Sequence, residues 1–157
     1  MSILEVRSII ENTYNAVLPR KFASTDATVQ LLAISGQEAG WSARVQTGGP
    51  AHGLWQFEKG GGVHGALNHP ASRRYVLAAC AIRGVDPAER AIYDALPTDD
   101  LLACALARLL LYTDPRPLPA PGDVAYALGY YKSNWRPGRP HDGDWPENYA
   151  AAMRAMA

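Results

Sequence analysis

Apolar residues recur at helical spacing along most of the chain, and capping residues divide this pattern into separate segments. The first helix is predicted over residues 3–18, where a serine can cap the start and Pro19 ends the pattern. The second helix is predicted to begin at one of residues 24–26 and to stop near Gly40. This register places Glu38 in the last turn of the second helix.

The rest of the chain continues the helical pattern with two interruptions. Six more helices are predicted, over residues 63–67, 71–83, 86–96, 98–110, 123–134 and 146–157. The proline-rich residues 114–121 are predicted to form a stiff connector. Residues 41–62 are rich in glycine and lack the helical period, so we expect loops, short irregular strands or a β-hairpin there. The fold class is therefore predicted to be mainly α.

Length and composition favour one globular domain over residues 1–157. A chain of this length has the usual size of a single domain, and 48% hydrophobic with 19% charged residues is enough for a packed core. Fifteen basic and fifteen acidic residues give a formal net charge of zero. The overall charge therefore gives no reason to expect binding to nucleic acid or to an anionic membrane.

The first residues and the two cysteines bear on the cellular compartment. Glu5 and Arg7 interrupt the apolar stretch that a secretory signal would need, and no segment is long enough to cross a bilayer, so we expect a protein made in the cytosol. Cys80 and Cys104 both lie in apolar, helix-like stretches. We expect two buried free thiols, with one disulfide between helices as the alternative.

Glu38 is the acidic residue most suited to catalysis. The predicted second helix delivers it next to Trp41, at the edge of the glycine-rich segment. A carboxyl group beside an indole, partly shielded from water and close to the negative end of a helix dipole, should have a raised pKa. A raised pKa suits a general acid near neutral pH. The alternative is an ordinary solvated glutamate at a helix end.

Two short segments resemble the lysozyme superfamily, in the branch of lytic transglycosylases, goose-type lysozymes and small bacteriophage endolysins. Residues 37–42 read Gln-Glu-Ala-Gly-Trp-Ser, and residues 53–56 read Gly-Leu-Trp-Gln. The branch has a catalytic glutamate followed by a small residue at a helix end, and then a Gly-Leu-Met-Gln-like segment. The resemblance implies an α+β lysozyme-like fold, with residues 41–62 forming one wall of a cleft and Glu38 as the catalytic acid.

The resemblance also implies sugar contacts in the glycine-rich segment. Gly53 would let the backbone approach a ligand, and the Gln56 amide would bond to hydroxyl or N-acetyl groups. Trp55 or Trp41 would offer a flat apolar face to a pyranose ring. Simple core packing is the alternative for both tryptophans.

A third segment of the branch reads Ala-Tyr-Asn, in which the tyrosine supports the catalytic glutamate and the asparagine lies in the cleft. The nearest match here, residues 125–127, reads Ala-Tyr-Ala and lacks the asparagine. The candidates for the supporting tyrosine are Tyr126, Tyr130 and Tyr131, and Asn134 is the candidate for the asparagine. Core packing is the alternative for the tyrosines.

The expected activity is cleavage of the β-1,4 bond between N-acetylmuramic acid and N-acetylglucosamine in bacterial peptidoglycan. Glycosidases usually use two carboxylates, and Glu58 is the only other acid in the early segment, where a loop or helix-start role is the simpler assignment. One convincing acid favours a lytic transglycosylase that forms a 1,6-anhydro product. A hydrolytic muramidase and a non-catalytic module that binds glycan or belongs to a virion remain alternatives.

No cofactor or metal is expected. His52, His64, His69 and His141 have no metal-binding spacing such as His-Glu-x-x-His, which argues against a zinc amidase or peptidase. The expected partner is the peptidoglycan glycan strand, without nucleic acid and without stable membrane insertion, and the expected state is a monomer. As a phage endolysin the protein would collect in the host cytoplasm and reach the periplasmic wall after the membrane is permeabilised.

Overall fold

The computed structural model describes residues 1–157 and contains eight α-helices. They are α1 (Ile3–Ala16), α2 (Thr25–Ala39), α3 (His64–Asn68), α4 (Arg73–Arg83), α5 (Glu89–Ala95), α6 (Asp100–Tyr112), α7 (Val124–Trp135) and α8 (Trp145–Ala155). Short 3-10 helices occupy Arg20–Phe22 and Asp142–Asp144, and a π-helical turn occupies Lys59–Val63. The predicted mainly α fold class is confirmed. No helix is long and apolar enough to cross a membrane.

α2 runs through the middle of the core. Its N-cap is Ser24, whose hydroxyl accepts a hydrogen bond from the Ala27 N–H, and its C-cap is Gly40 in the left-handed conformation with φ 55°. Both predicted ends are confirmed. Eleven of its fifteen residues are buried, because α1, α6, α7 and α8 all pack against it. A side chain at the end of this helix is consequently held by the whole core.

The first and last helices meet each other. Ser2 and Glu5 form a reciprocal capping box at the start of α1, which ends at Ala16, short of Pro19. The Arg7 guanidinium donates a hydrogen bond of 2.6 Å from Nη1 to the carbonyl oxygen of Ala155 in the last turn of α8. The two ends of the chain therefore lie on the same side of the core.

α6 supplies much of the remaining core. Asp99 caps its start by accepting from the Leu102 N–H, as expected for the Thr-Asp-Asp segment. Cys104 in α6 and Cys80 in α4 are both buried and unpaired, which confirms the prediction of two free thiols. Burial raises the pKa of the Cys104 thiol to about 12, so this sulfur is an inert core group.

α5 begins three residues later than its predicted start at residue 86. The following Pro87 disfavours helical geometry at Asp86, and Ala88 has an extended backbone with φ −126° and ψ 147°. Glu89 is the first helical residue. Here the restriction that proline places on its predecessor outweighs the capping tendency of the aspartate.

The segment between α2 and the π-helical turn is irregular, as predicted. Its only ladder contacts are two isolated antiparallel bridges, Val45 with His52 and His52 with Phe57. Two bridges sharing one residue make a compact loop rather than a β-hairpin. The loop packs its apolar side chains inward, with Leu54, Trp55 and Phe57 all buried.

Candidate functional site

A cavity of about 990 Å³ opens between the irregular segment and the ends of two helices. Glu38 at the end of α2 lines it, together with Tyr131 and Asn134 from α7. Gln56 and Glu58 also line it, as do residues 135–139 and His141. The prediction that Glu38 and Gln56 share one concave site is confirmed.

Glu38 is only partly exposed at the cavity surface, and Tyr131 is its hydrogen-bond partner. The Tyr131 hydroxyl donates to Oε1 of the carboxyl group. Burial raises the pKa of Glu38, the Tyr131 hydrogen bond acts against this rise, and the nearby Glu58 charge adds to it. His141 lowers the pKa by a smaller amount. The net direction is upward, as expected for a group that must hold a proton near neutral pH.

Tyr131 is fixed in position by aromatic packing. Its ring stacks on Trp145 with centroids 5.2 Å apart and an interplanar angle of 7°, and only 3% of the residue is exposed. Burial and the adjacent Glu38 carboxyl raise the pKa of the Tyr131 hydroxyl, so it stays a donor over the working pH range. Of the three candidate tyrosines, this is the one that reaches Glu38.

Gln56 adopts a backbone conformation that is uncommon for a residue with a side chain. Its φ is 52°, in the left-handed region. The side-chain amide folds back and donates to the Gly53 carbonyl oxygen at 2.9 Å, which fixes the nitrogen end. The carboxamide oxygen makes no hydrogen bond within the protein and remains available as an acceptor. Such local strain is often found at functional sites.

Asn134 also lines the cavity, and its amide is held by two hydrogen bonds. Nδ2 donates to Oδ2 of Asp114 and to the Tyr130 carbonyl oxygen, each at 2.9 Å. Arg116 pairs with the same Asp114 carboxylate and holds its pKa at about 2, so this anchor stays ionised. Asn134 therefore lines the same cavity as Glu38.

Trp55 and Gly53 do not line the cavity, which corrects their assignment as sugar contacts. Trp55 is completely buried, and its indole N–H donates to the Leu31 carbonyl oxygen of α2 at 2.9 Å. A side chain on Gly53 would meet Leu96 at 3.3 Å and Ala103 at 3.4 Å, and φ is +83° there. Gly53 is therefore needed because the segment folds inward and its backbone packs closely against core residues, not against a ligand.

Three further predicted contacts also lie outside the cavity. Trp41 lies against Gly36 and donates its indole N–H to the Leu32 carbonyl oxygen at 2.9 Å. The Tyr126 hydroxyl donates to the Pro117 carbonyl oxygen, and Tyr130 is buried with its hydroxyl on the Leu111 carbonyl oxygen. None of the three lines the cavity that contains Glu38, and in each case the polar end of the ring is bonded to the protein backbone.

Two further residues that line the cavity lie outside the predicted set of site residues. Trp135 lines the cavity and stacks on Phe57 with ring centroids 5.6 Å apart. It follows Tyr131, the hydrogen-bond partner of Glu38, by four residues in α7. Gln37 donates to the His141 carbonyl oxygen and accepts from the Asn148 amide, each at 2.8 Å. The i, i+4 spacing from Tyr131 to Trp135 is the signal that would have found the tryptophan.

The histidines are spread along the site rather than gathered at one point. His64, His69 and His141 line the cavity, whereas His52 stacks on Tyr93 with ring centroids 3.8 Å apart. His64 pairs with Glu89 and contacts neither Glu38 nor Tyr131 through a hydrogen bond. No group of three or more His, Cys, Asp or Glu side chains is placed to hold a metal ion.

The chain was compared with protein-family models, with curated proteins and with solved structures, and nothing matched in any of the three.

Proposed function

We propose that the protein cleaves the β-1,4 bond between N-acetylmuramic acid and N-acetylglucosamine in peptidoglycan, as a lytic transglycosylase. The observation that carries the proposal is a carboxyl group with a raised pKa, hydrogen-bonded to a buried tyrosine and lining a mainly polar cavity. Gln56 and Asn134 add amides suited to hydroxyl and N-acetyl groups. The resemblance of residues 37–42 and 53–56 to the lysozyme superfamily points the same way.

Glu38 would serve first as acid and then as base. Its proton passes to the glycosidic oxygen as the bond from that oxygen to C1 of the muramic sugar breaks, so N-acetylglucosamine leaves with a free hydroxyl. The resulting carboxylate then takes the proton of the muramic 6-hydroxyl as its oxygen bonds to C1. The product is a 1,6-anhydro sugar, no water is consumed, and Glu38 ends the cycle protonated.

Tyr131 keeps the carboxyl group in position through both steps. Its hydroxyl donates to Glu38 and stabilises the carboxylate formed in the middle of the cycle. The stacked Trp145 ring holds the Tyr131 side chain in place, so the hydroxyl keeps its position when the carboxyl group of Glu38 moves. The positions of donor and acid are thus set before substrate enters.

Hydrolysis by the same fold is the second candidate, and Glu58 is the observation that favours it. Glu58 lines the same cavity, and its charge is close enough to raise the pKa of Glu38. A second carboxylate in the same site as an acid is the arrangement with which glycosidases activate water or form a covalent intermediate. In that case the product would carry a reducing sugar instead of an anhydro ring.

The test is digestion of purified sacculi followed by mass spectrometry of the released fragments. Anhydro-muropeptides, lighter by one water than hydrated products, support the transglycosylase, and hydrated products support the muramidase. Lysis should persist in chelator, because no step uses a metal. Wild-type protein that binds sacculi without releasing fragments would leave only a non-catalytic glycan-binding or virion module.

The proposed biological role is that of a bacteriophage endolysin acting as a monomer in host lysis. The protein would collect in the host cytoplasm and reach the periplasmic wall once another factor permeabilises the membrane. Clearing of intact cells only after such permeabilisation, set against clearing of bare sacculi without it, tests this role separately from the chemistry.

A further inference from the structure

We propose that the loop of residues 136–141 binds carboxylate groups on the peptide branch of the substrate, so that the enzyme prefers glycan strands that still carry their peptides. This inference rests on the proposed function and concerns another part of the same cavity lining. The loop contributes two arginines, Arg136 and Arg139, to the cavity lining.

Neither arginine is neutralised by the protein. The seven ion pairs of the chain use other basic residues, and the nearest one along the chain joins Lys132 to Asp142 at 2.7 Å. The guanidinium of Arg136 makes only a long contact of 3.5 Å from Nε to the Ser133 carbonyl oxygen. Arg139 makes no side-chain hydrogen bond, and its side chain is exposed. Both arginines line the cavity, and most of their guanidinium N–H donors have no partner in the protein.

The backbone at Arg136 is unusual for this residue type. It is the C-cap of α7 with φ 50° and ψ 56°, the left-handed conformation in which glycine is favoured. Gly138 lies only two residues further along the loop. An arginine at the position that glycine would fill more easily points to a use for its side chain.

The loop is hydrogen-bonded to the residue that precedes Glu38. Gln37 donates to the His141 carbonyl oxygen at 2.8 Å, and Gln37 directly precedes the acid Glu38. A sugar seated at Glu38 would thus hold its substituents within the same cavity as the loop. The muramic sugar carries its lactyl group and peptide as the one long branch of the strand, and that branch ends in carboxylates.

The charge of the cavity suits such a branch. Its acids are Glu38 and Glu58, and burial favours the neutral form of Glu38 by raising its pKa. The lining also includes two arginines and the imidazoles of His64, His69 and His141. Bidentate pairing with carboxylate is the interaction for which guanidinium is best shaped.

The experiment compares kcat/KM on two substrates, glycan strands with intact peptides and strands from which an amidase has removed them. The stripped strands keep only the lactyl carboxylate, so the ratio of the two values reports the carboxylates of the peptide. We expect wild-type protein to prefer the intact strands by on the order of tenfold or more, since a hydrogen bond to a charged group has about that effect. The double variant Arg136→Gly with Arg139→Gln should bring the ratio close to one.

Arg136→Gly also separates recognition from folding. Glycine relieves the left-handed backbone, so the melting temperature should be equal to or above that of the wild type while the substrate preference falls. Arg154→Gln is the matched control, because Arg154 is exposed, forms no ion pair and lies outside the cavity. It should keep the wild-type ratio.

The outcomes distinguish this inference from the proposed function. Equal kcat/KM on both strands, or an unchanged ratio in the double variant, overturns the arginine loop and leaves the glycosidase in place. If wild-type protein cleaves neither strand, the glycosidase fails, and calorimetry with a soluble disaccharide tetrapeptide and with the bare disaccharide decides the loop. Tighter binding of the tetrapeptide that disappears in the double variant supports the inference, and equal binding of the two overturns it.

Discussion

The two walls of the cavity are built in opposite ways. The helical wall, formed by Glu38, Tyr131 and Asn134, consists of side chains that each hydrogen-bond to another part of the fold. The glycine wall, residues 58–65, has four glycines and a π-helical turn in which Gly61 has non-helical dihedral angles of φ −99° and ψ −106°. Much of the glycine wall consists of backbone without side chains.

Under the proposed function, this difference gives each wall a separate task. Proton transfer needs an acid held within a fraction of an ångström, which only packed and bonded side chains provide. A polymeric sugar needs room along its length, which glycines provide by leaving out side chains. The chemistry of the site is therefore expected to depend on the helical wall and its shape on the glycine wall.

Replacing the acid of each wall by glutamine tests the comparison most strongly, and the change at Glu38 should have the largest effect on activity. Glu38→Gln removes the proton donor and should lower the rate of sacculus digestion by about 10²- to 10⁴-fold, while circular dichroism shows the fold retained. Glu58→Gln is the matched change on the glycine wall and should cost less than about tenfold if Glu38 acts alone. Comparable losses in the two variants would move the assignment to the hydrolase, and full activity in Glu38→Gln would remove Glu38 from the mechanism.

The packing of the glycine wall can be tested by measuring how alanine substitutions in it change the free energy of unfolding. A Cβ on Gly62 would lie 2.3 Å from Cδ1 of Phe57, whereas a Cβ on Gly60 would meet nothing within 4 Å. Gly62→Ala should therefore lower the free energy of unfolding by about 1–3 kcal/mol, because a buried aromatic ring must move. Gly60→Ala should stay within about 0.5 kcal/mol of the wild type. Denaturant titration measures both, and equal stability of the two variants would contradict the packing described for Phe57.

The hydrogen bond on the helical wall has a pH signature. Tyr131→Phe removes a bond that lowers the pKa of Glu38, so this pKa should rise and the alkaline limb of activity should move to higher pH. The maximal rate should fall by roughly tenfold as the carboxyl group loses its positioning contact. Tyr126→Phe is the control, since that hydroxyl bonds to the Pro117 carbonyl oxygen. An alkaline limb that stays in place in Tyr131→Phe would mean that the bond does not act on the working acid.

The smallest expected effect is a stability difference that depends on pH. Because burial raises the pKa of Glu38 in the folded state, its contribution to stability is fully present below the ordinary glutamate pKa and is lost as pH rises through the folded value. Glu38→Gln avoids burying a charge, so its melting temperature should exceed that of the wild type at pH 8 by on the order of a few degrees. The gain should shrink at pH 4. Calorimetry at the two pH values measures it, and a constant difference would contradict the raised pKa.

Helix ends were predictable where a capping residue can satisfy the backbone groups of the helix end by itself. Ser24, Gly40 and Asp99 cap their helices as expected because a hydroxyl, a left-handed glycine or a carboxylate satisfies backbone groups within one turn. Glu38 was found for the same reason, since its position depends on the end of α2. Local sequence contains the information that such positions require.

The aromatic residues were harder to place because their partners are distant in sequence. Trp55 and Trp41 bond to carbonyl oxygens of α2 that lie 24 and 9 residues away, and nothing near either tryptophan reveals this. Tyr131 differs from Tyr130 by one helical step of about 100°, which turns one toward Glu38 and the other into the core. The phase of α7 against α2 decides that choice, and it is set by packing across the whole core.

The contact between Arg7 and the last turn of α8 has a consequence for protein engineering. It brings the beginning and end of the chain to one side of the core, and no residue before Gln37 or after His141 lines the cavity. Domains whose ends are neighbours tolerate circular permutation and insertion into other proteins. A targeting or wall-anchoring module fused at either end would therefore leave the mouth of the cavity open to a glycan strand.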